Sequence, residues 1–75
     1  MTLKESYDIL KEKKFPKKPS KCIEYVSCFV YHFGGDKQLD FMFAVDKNTK
    51  EVRPFTPRSI SPGEFSKPLK TYNFT

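Results

Sequence analysis

The chain of 75 residues has room for one domain with a small core and is too short for a second domain. Its 14 Lys and Arg outnumber its 9 Asp and Glu, and seven of the lysines fall within residues 1–21. No stretch is apolar for long enough to span a membrane, and no apolar signal-peptide segment follows the N-terminus. We therefore predict one domain over residues 1–75, located in the cytoplasm.

The first predicted element is a helix over residues 3–14. Thr2 and Glu5 have the spacing of a capping box, which satisfies the first amides of a helix. Pro16 ends the helix, because the residue before a proline avoids the α region. Three apolar side chains share one face of this helix: Leu3, Tyr7 and Leu10.

Two long strands are predicted next, Cys22–Phe33 and Gln38–Asp46, joined by a two-residue turn at Gly35-Asp36. Glycine tolerates the positive φ that such a turn requires. The turn pairs Val30 with Phe41 and makes one sheet face wholly apolar. That face is expected to form the core under the helix, from Val26, Cys28, Val30, Leu39, Phe41, Phe43, Val45 and Val52.

A third strand is predicted over Glu51–Thr56, after a four-residue loop that pairs Val45 with Val52. This loop places Lys50 in the left-handed region, where glycine is usual. Pro54 cannot donate a hydrogen bond to a neighbouring strand, so the third strand is expected at an edge of the sheet.

The element order predicts an α+β fold, with the N-terminal helix packed on a three-stranded antiparallel β-sheet, a β-meander. The C-terminal tail is expected to be irregular, apart from a short helical turn over residues 62–66. Ser61 and Glu64 frame that turn with a second capping box, and Pro62 suits its first position.

The opposite sheet face also carries many aromatic side chains, whereas a solvated face normally alternates to polar residues. Exposed apolar patches of this size mark contact with other groups. One predicted cover is the chain's own tail, through Phe65, Leu69, Tyr72 and Phe74. The other is a partner protein or a second copy, bound through Tyr25, Phe29, Tyr31, Phe33, Met42, Arg53 and Phe55.

A single-stranded nucleic acid is the alternative partner. Aromatic side chains on a sheet stack bases in many single-strand binders. The lysines cluster within residues 11–21, as at a solvated helix end, and the sheet is nearly neutral, which favours a protein partner. The stacking platforms of this alternative are Phe29, Tyr31, Phe33 and Phe55.

Few residues suit catalysis or metal binding. Cys22 and Cys28 lie six positions apart on one predicted strand, roughly 20 Å, too far for a disulfide, so buried thiols are expected. His32 is the single histidine, and with two cysteines it does not complete a zinc site. We expect a protein that is not an enzyme and uses no cofactor or metal.

Residues 43–52, with the sequence FAVDKNTKEV, resemble the strand, V-D-x-x-T-G-x-V, strand hairpin of PepSY-type domains. The element order also resembles small immunity or phage-borne proteins built from a helix and three strands. Lys50 stands where those families usually have glycine. PepSY-type domains are typically extracytoplasmic and often inhibitory, so the resemblance implies a non-catalytic binding or inhibitory module.

Overall fold

The structure is a computed structural model that describes residues 1–14, 18–33, 41–56 and 58–74. Two helices lie in these ranges, α1 (Leu3–Glu12) and α2 (Pro62–Phe65). The strands of the same ranges are β1 (Lys21–Glu24), β2 (Cys28–Phe33), β3 (Phe41–Asp46), β4 (Val52–Pro54) and β5 (Lys70–Asn73). They form one antiparallel sheet in the order β4-β3-β2-β1-β5. The α+β class is confirmed, whereas three strands were too few.

The two additional strands come from a hidden turn and from the tail. The predicted strand Cys22–Phe33 is a hairpin, in which the Tyr25 amide donates to the Cys28 carbonyl at 2.8 Å. Val26 at this turn is 67% exposed, so its predicted place in the core is wrong. The tail, predicted to be irregular beyond its helical turn, adds β5 beside β1.

The register between β2 and β3 differs from the predicted one by three positions. Val30 pairs with Ala44 and Tyr31 pairs with Phe43, whereas the predicted register paired Val30 with Phe41. Because side chains alternate along a strand, an odd shift inverts the two faces of β2 relative to those of β3. Phe43, Val45 and Val52 lie in the layer under α1 as predicted, whereas Cys28 and Val30 lie on the opposite face, so the predicted division into a core face and an aromatic face is wrong for β2. The predicted turn at Gly35-Asp36 and the predicted core residue Leu39 lie outside the described residues.

One sheet face, called here the helix face, is covered by α1. The Glu5 amide donates to the Thr2 hydroxyl at 3.2 Å, which confirms the N-cap, and α1 ends two residues before the predicted end. Leu3, Tyr7 and Leu10 point to the sheet as predicted. The buried side chains of this layer are Leu10, Cys22, Phe29, Tyr31, Phe33 and Val45.

The other sheet face, called here the segment face, is covered by the described residues of the segment 55–65, which are 55, 56 and 58–65. Its buried side chains are Tyr25, Cys28, Val30 and Phe55, with Ile23, Met42, Ala44 and Ile60 packed against them. Within the covering segment the Glu64 amide donates to the Ser61 hydroxyl at 3.2 Å, which confirms the second capping box. The fold thus has three layers, with the sheet between α1 and this segment.

The β3–β4 hairpin has the predicted pairing, although β4 (Val52–Pro54) is shorter than the predicted strand Glu51–Thr56. Val45 pairs with Val52, and Lys50 has a φ of 61°. The turn is held by the Asp46 carboxylate, which accepts hydrogen bonds from the Asn48 and Thr49 amides at 2.7 and 2.9 Å. The strand that contains Pro54 lies at an edge of the sheet, as predicted.

Candidate protein-binding site

The seven predicted partner-binding residues do not share one exposed face. Phe29, Tyr31 and Phe33 lie beneath α1 on the helix face and are at most 7% exposed. Tyr25 and Phe55 are equally buried, but on the segment face. The residues of this set that retain surface are Met42, which is half-buried on the segment face, and Arg53, which is exposed.

Burial also removes the predicted stacking platforms for nucleic-acid bases. All four of these aromatic side chains are closed off by α1 or by the segment 55–65, in the helix-face and segment-face layers: Phe29, Tyr31, Phe33 and Phe55. A base needs an exposed ring face to stack on. Stacking on these four rings would therefore require a layer to open.

The aromatic side chains of the helix face are fixed by a polar contact in the core. The Ser6 hydroxyl donates to the Leu3 carbonyl at 2.8 Å, and its oxygen lies 2.5 Å from the Tyr31 hydroxyl. Burial raises the pKa of the Tyr31 hydroxyl, and the bond to Ser6 offsets part of that rise. The Tyr31 ring stacks on Phe74 with 6.2 Å between centroids. Tyr31 therefore joins α1, the sheet and the chain that follows β5.

On the segment face, three aromatic rings from three parts of the chain pack together. The Tyr25 ring lies 6.2 Å from Phe55 and 6.1 Å from Phe65. Phe55 and Phe65 are 6.4 Å apart. Burial raises the pKa of the Tyr25 hydroxyl. The predicted cover by the tail is thus divided, because Phe65 packs here whereas Tyr72 and Phe74 reach the helix-face layer.

Three exposed apolar residues lie in chain segments that meet at the β1–β2 turn and the connection from α2 to β5. Val26 is 67% exposed, Leu69 is 57% exposed and Phe65 is 39% exposed. Phe65 packs on Tyr25, the residue before Val26, and the Leu69 amide donates to the Glu24 carbonyl at 2.7 Å. We call these three residues, Val26, Phe65 and Leu69, the turn patch.

Glu64 fixes the turn patch by joining α2 to the β1–β2 turn. Its carboxylate accepts a hydrogen bond from the Ser27 amide at 2.9 Å and another from the Ser27 hydroxyl at 2.6 Å. These bonds hold the α2 segment next to the turn that carries Val26. The segments that carry the turn patch are therefore held together by hydrogen bonds within the chain.

The sequence prediction missed the turn patch because Val26 was placed within a continuous strand. A signal was present, since a strand of twelve residues is about twice the usual length. Phe65 and Leu69 were identified as apolar, but as covers of a sheet face. Leu69 is instead exposed beside β5.

A cavity of about 260 Å³ lies on the segment face, next to the turn patch. Cys28, Phe55 and Ile60 form part of its wall, together with Asp46 and Arg53. Amide donors in the turn lower the pKa of the Asp46 carboxyl, and Arg53 is paired with Glu51. Both charged groups are therefore already engaged. The cavity is also smaller than the pockets of about 300–1,000 Å³ that bind small molecules.

Among the residues that the structure describes, the cysteine, histidine and acidic side chains do not form a reactive cluster. Cys22 and Cys28 are unpaired buried thiols in different layers, on opposite sheet faces. Burial raises the pKa of the Cys22 thiol to about 12 and also raises that of Cys28, so both stay protonated at neutral pH. His32 is half-buried and pairs in register with Lys21 and Met42. Within the described ranges, no three acidic, Cys or His side chains gather to hold a metal ion.

Comparison with protein families, curated proteins and solved structures gives no significant match. Neither α1 nor α2, the helices of the described ranges, has the length and hydropathy to cross a bilayer. The candidate site therefore rests on the geometry of this chain alone.

Proposed function

We propose that this protein is a small non-catalytic module that binds a partner protein through the turn patch. The observation that carries the proposal is that three exposed apolar residues lie in chain segments that meet at one end of the sheet. Small proteins bury apolar groups where they can, and clustered exceptions are typical of protein contacts. Aromatic anchors such as Phe65 are common at the centres of such contacts.

The rigidity of the turn patch supports this proposal. Phe65 rests on Tyr25 and Phe55, and the two bonds from Ser27 to Glu64 hold its segment in place. A partner would not need to order this surface on binding. Preorganisation of this kind lowers the entropic cost of association.

The charges around the turn patch indicate the chemistry of the partner. Lys67 and Lys70 are exposed beside it, and the nearby Glu24 is paired with Lys47 at 2.8 Å. The Glu64 carboxylate, held by Ser27, is the other acidic group at the patch, so the rim has an excess of one positive charge around an apolar centre. A partner surface with apolar side chains surrounded by Asp and Glu would be complementary.

An inhibitory or immunity-type role, including one in a phage, is proposed on the resemblance to PepSY-type and small immunity domains alone. Those proteins act by binding rather than by catalysis, which agrees with a docking surface. The hairpin that carries the resemblance, residues 43–52, lies towards the opposite edge of the sheet from β5.

The test is quantitative affinity capture from a lysate of the source cells, with the full chain as bait. Val26→Asp and Leu69→Asp each place a charge in the turn patch, and Asn48→Asp adds the same charge in the exposed β3–β4 turn. We expect a protein that the wild type and Asn48→Asp capture and that both patch variants lose. Equal capture by all four chains, or capture of nothing, would contradict the proposal.

A single-stranded nucleic acid is the second candidate, favoured by a different surface. Phe74 is 39% exposed, its ring packs 5.6 Å from that of Tyr7, and Lys11 Nζ lies 5.8 Å from the Tyr7 centroid. Exposed aromatic rings beside lysines suit base stacking and phosphate contact. Titration of tyrosine fluorescence with an oligothymidine should then show binding that weakens steeply with salt and is reduced in Phe74→Ala. A flat titration at low salt rejects this candidate.

A further inference from the structure

The two edges of the sheet differ in whether they can accept another strand. At the β4 edge, Asp46 and Phe55 donate to the carbonyls of Glu51 and Met42, so residues 51 and 55 face β3. The alternate positions, Val52 and Pro54, therefore direct their main chain outward. Pro54 has no amide hydrogen at an outward position, and proline there blocks strand pairing.

The β5 edge carries no such block. The Phe74 amide donates to the Ser20 carbonyl at 3.0 Å, so residue 74 and the alternate residues 72 and 70 face β1. Thr71 and Asn73 then direct their amides and carbonyls away from the sheet, and both are exposed. No described strand lies beyond them.

Apolar side chains stand at both ends of this edge. Leu69, just before β5, is 57% exposed, and Phe74, just after it, is 39% exposed. Phe74 continues the alternation of β5 onto the helix face, where its ring stacks on Tyr31, whereas Leu69 lies at the bend before β5, where its amide donates to the Glu24 carbonyl. An added strand would therefore have main-chain partners in its middle and an apolar contact at each end.

The charge of the edge distinguishes between occupants. Lys70 lies on β5, Lys67 precedes it, and Lys21 is the Cα partner of Asn73. Glu24 is the Cα partner of Lys70. Its carboxylate forms an ion pair with Lys47 at 2.8 Å and accepts a hydrogen bond from the Tyr72 hydroxyl at 3.3 Å. A second copy would bring the same lysines against them and carries a net charge of +5. An acidic segment would find complementary charge.

We propose that β5 is the docking edge of this protein and that its ligand is an extended acidic segment of a partner protein, added antiparallel as a sixth strand. The inference rests on the proposed function and names its mode of recognition. Main-chain hydrogen bonds to Thr71 and Asn73 provide the pairing, and Lys70 and Lys67 select acidic side chains. Leu69 belongs to both surfaces, so the added strand would run directly into the turn patch.

The test is selection of binders from a random twelve-residue phage-displayed peptide library on the full chain. We expect enriched peptides that alternate apolar with acidic residues. Thr71→Pro removes one outward amide without touching the bonds to β1, and it should weaken binding about tenfold. Thr71→Ala keeps the amide and is the matched control, with binding close to that of the wild type.

A second measurement leaves the protein unchanged, in case Thr71→Pro does not fold. Two versions of the selected peptide are compared, one methylated on its odd-numbered backbone nitrogens and the other on its even-numbered ones. One version should lose binding and the other should keep it. The reason is that alternate amides of an added strand face β5. Equal loss of binding by the two methylated peptides, or loss by neither, overturns strand addition.

The remaining outcomes separate this inference from the proposed function. Peptides that tolerate Thr71→Pro but are lost on Val26→Asp would place the contact on the turn patch alone, which overturns strand addition and keeps the protein-binding function. A dimer in sedimentation that Thr71→Pro abolishes would make a second copy the occupant and overturn the acidic segment. Enrichment of no peptide, or of basic ones, overturns the inference, while the lysate capture decides the proposed function independently.

Discussion

The two faces of this sheet are covered in different ways. The helix face is closed by α1, a regular element of ten residues whose apolar side chains repeat at helical spacing. The segment face is closed by residues 55–65, in which the covering side chains are Phe55, Ile60 and Phe65 and the helix α2 has four residues. Phe65 remains 39% exposed, and the cavity of about 260 Å³ lies on this side.

The difference teaches how a short chain can bury both faces of a sheet without a second long helix. Three aromatic rings and two hydrogen bonds to Glu64 take the place of regular packing on the segment face. This cover leaves apolar surface at its margin, which is where the turn patch lies. The closed layer supplies stability, and the partly closed layer carries the surface that we propose as a docking site.

The largest expected effect separates the two covers. Phe29 is 1% exposed under α1. The substitution Phe29→Ala should lower the unfolding free energy by about 3–5 kcal/mol, because it would leave a new cavity in a closed layer. Phe65→Ala should cost less than half of that, since its ring already contacts water. Urea denaturation followed by circular dichroism measures both. The conservative pair Phe29→Leu and Phe65→Leu should keep the same order, and a reversed order would refute the comparison.

The next effect tests what holds the segment face. Glu64→Ala removes two hydrogen bonds to a carboxylate and should cost about 2 kcal/mol. Amide hydrogen exchange should rise in residues 58–66 and remain unchanged in α1. The matched control is Glu51→Ala, which breaks the exposed pair with Arg53 and should change stability by less than about 1 kcal/mol. Equal exchange in both layers would mean that they open together.

A smaller effect is expected at the polar contact of the helix face. Tyr31→Phe removes the hydroxyl that meets Ser6 and should cost about 1 kcal/mol. Ser6→Ala removes the other partner, and the double variant should lose less than the sum of the two single losses. Strict additivity in urea denaturation would show that the 2.5 Å contact contributes nothing to stability.

The smallest effect is a dependence on acid at the β3–β4 turn. Amides of Thr49 and Asn48 lower the pKa of Asp46 in the folded state below its unfolded value near 4. The carboxylate therefore contributes stability above that unfolded value, and the contribution is lost as the pH falls through the lowered folded pKa. Unfolding free energies between pH 6 and pH 2 should fall more for the wild type than for Asp46→Asn. Parallel curves would contradict this assignment.

Local chemistry explains which parts of the fold the sequence predicted. The caps at Thr2 and Ser61 and the Asp46 turn each depend on neighbours within a few residues. The edge position of β4 follows from the missing amide hydrogen of Pro54 itself. Such local features do not depend on which distant strands pair with each other. The helix stripe belongs to the same class, because its period lies within α1.

The failures involve long-range pairing. The β1–β2 turn has Val26 and Ser27 at its tip, and Val26 does not favour a turn while Ser27 favours it only weakly compared with glycine or asparagine. The predicted β2–β3 register depended on an assumed two-residue turn at Gly35-Asp36, and the observed register does not fit that turn. β5 has the sequence KTYN, which lacks apolar alternation, and forms because β1 presents an edge to it. The sequence prediction therefore missed the candidate site, because its exposed residues lie on the β1–β2 turn and next to β5, and neither element was predicted.

The placement of the two cysteines gives each layer its own chemical reporter. Cys22 is sealed beneath α1 and Cys28 beneath the opposite cover, so alkylation of either thiol requires the corresponding layer to open. Pulse labelling with iodoacetamide, followed by cleavage after Glu24, would put the two thiols on separate peptides and time each opening by mass spectrometry. Local opening of the helix-face layer and of the segment-face layer can thereby be followed in one experiment, without a substitution or a dye.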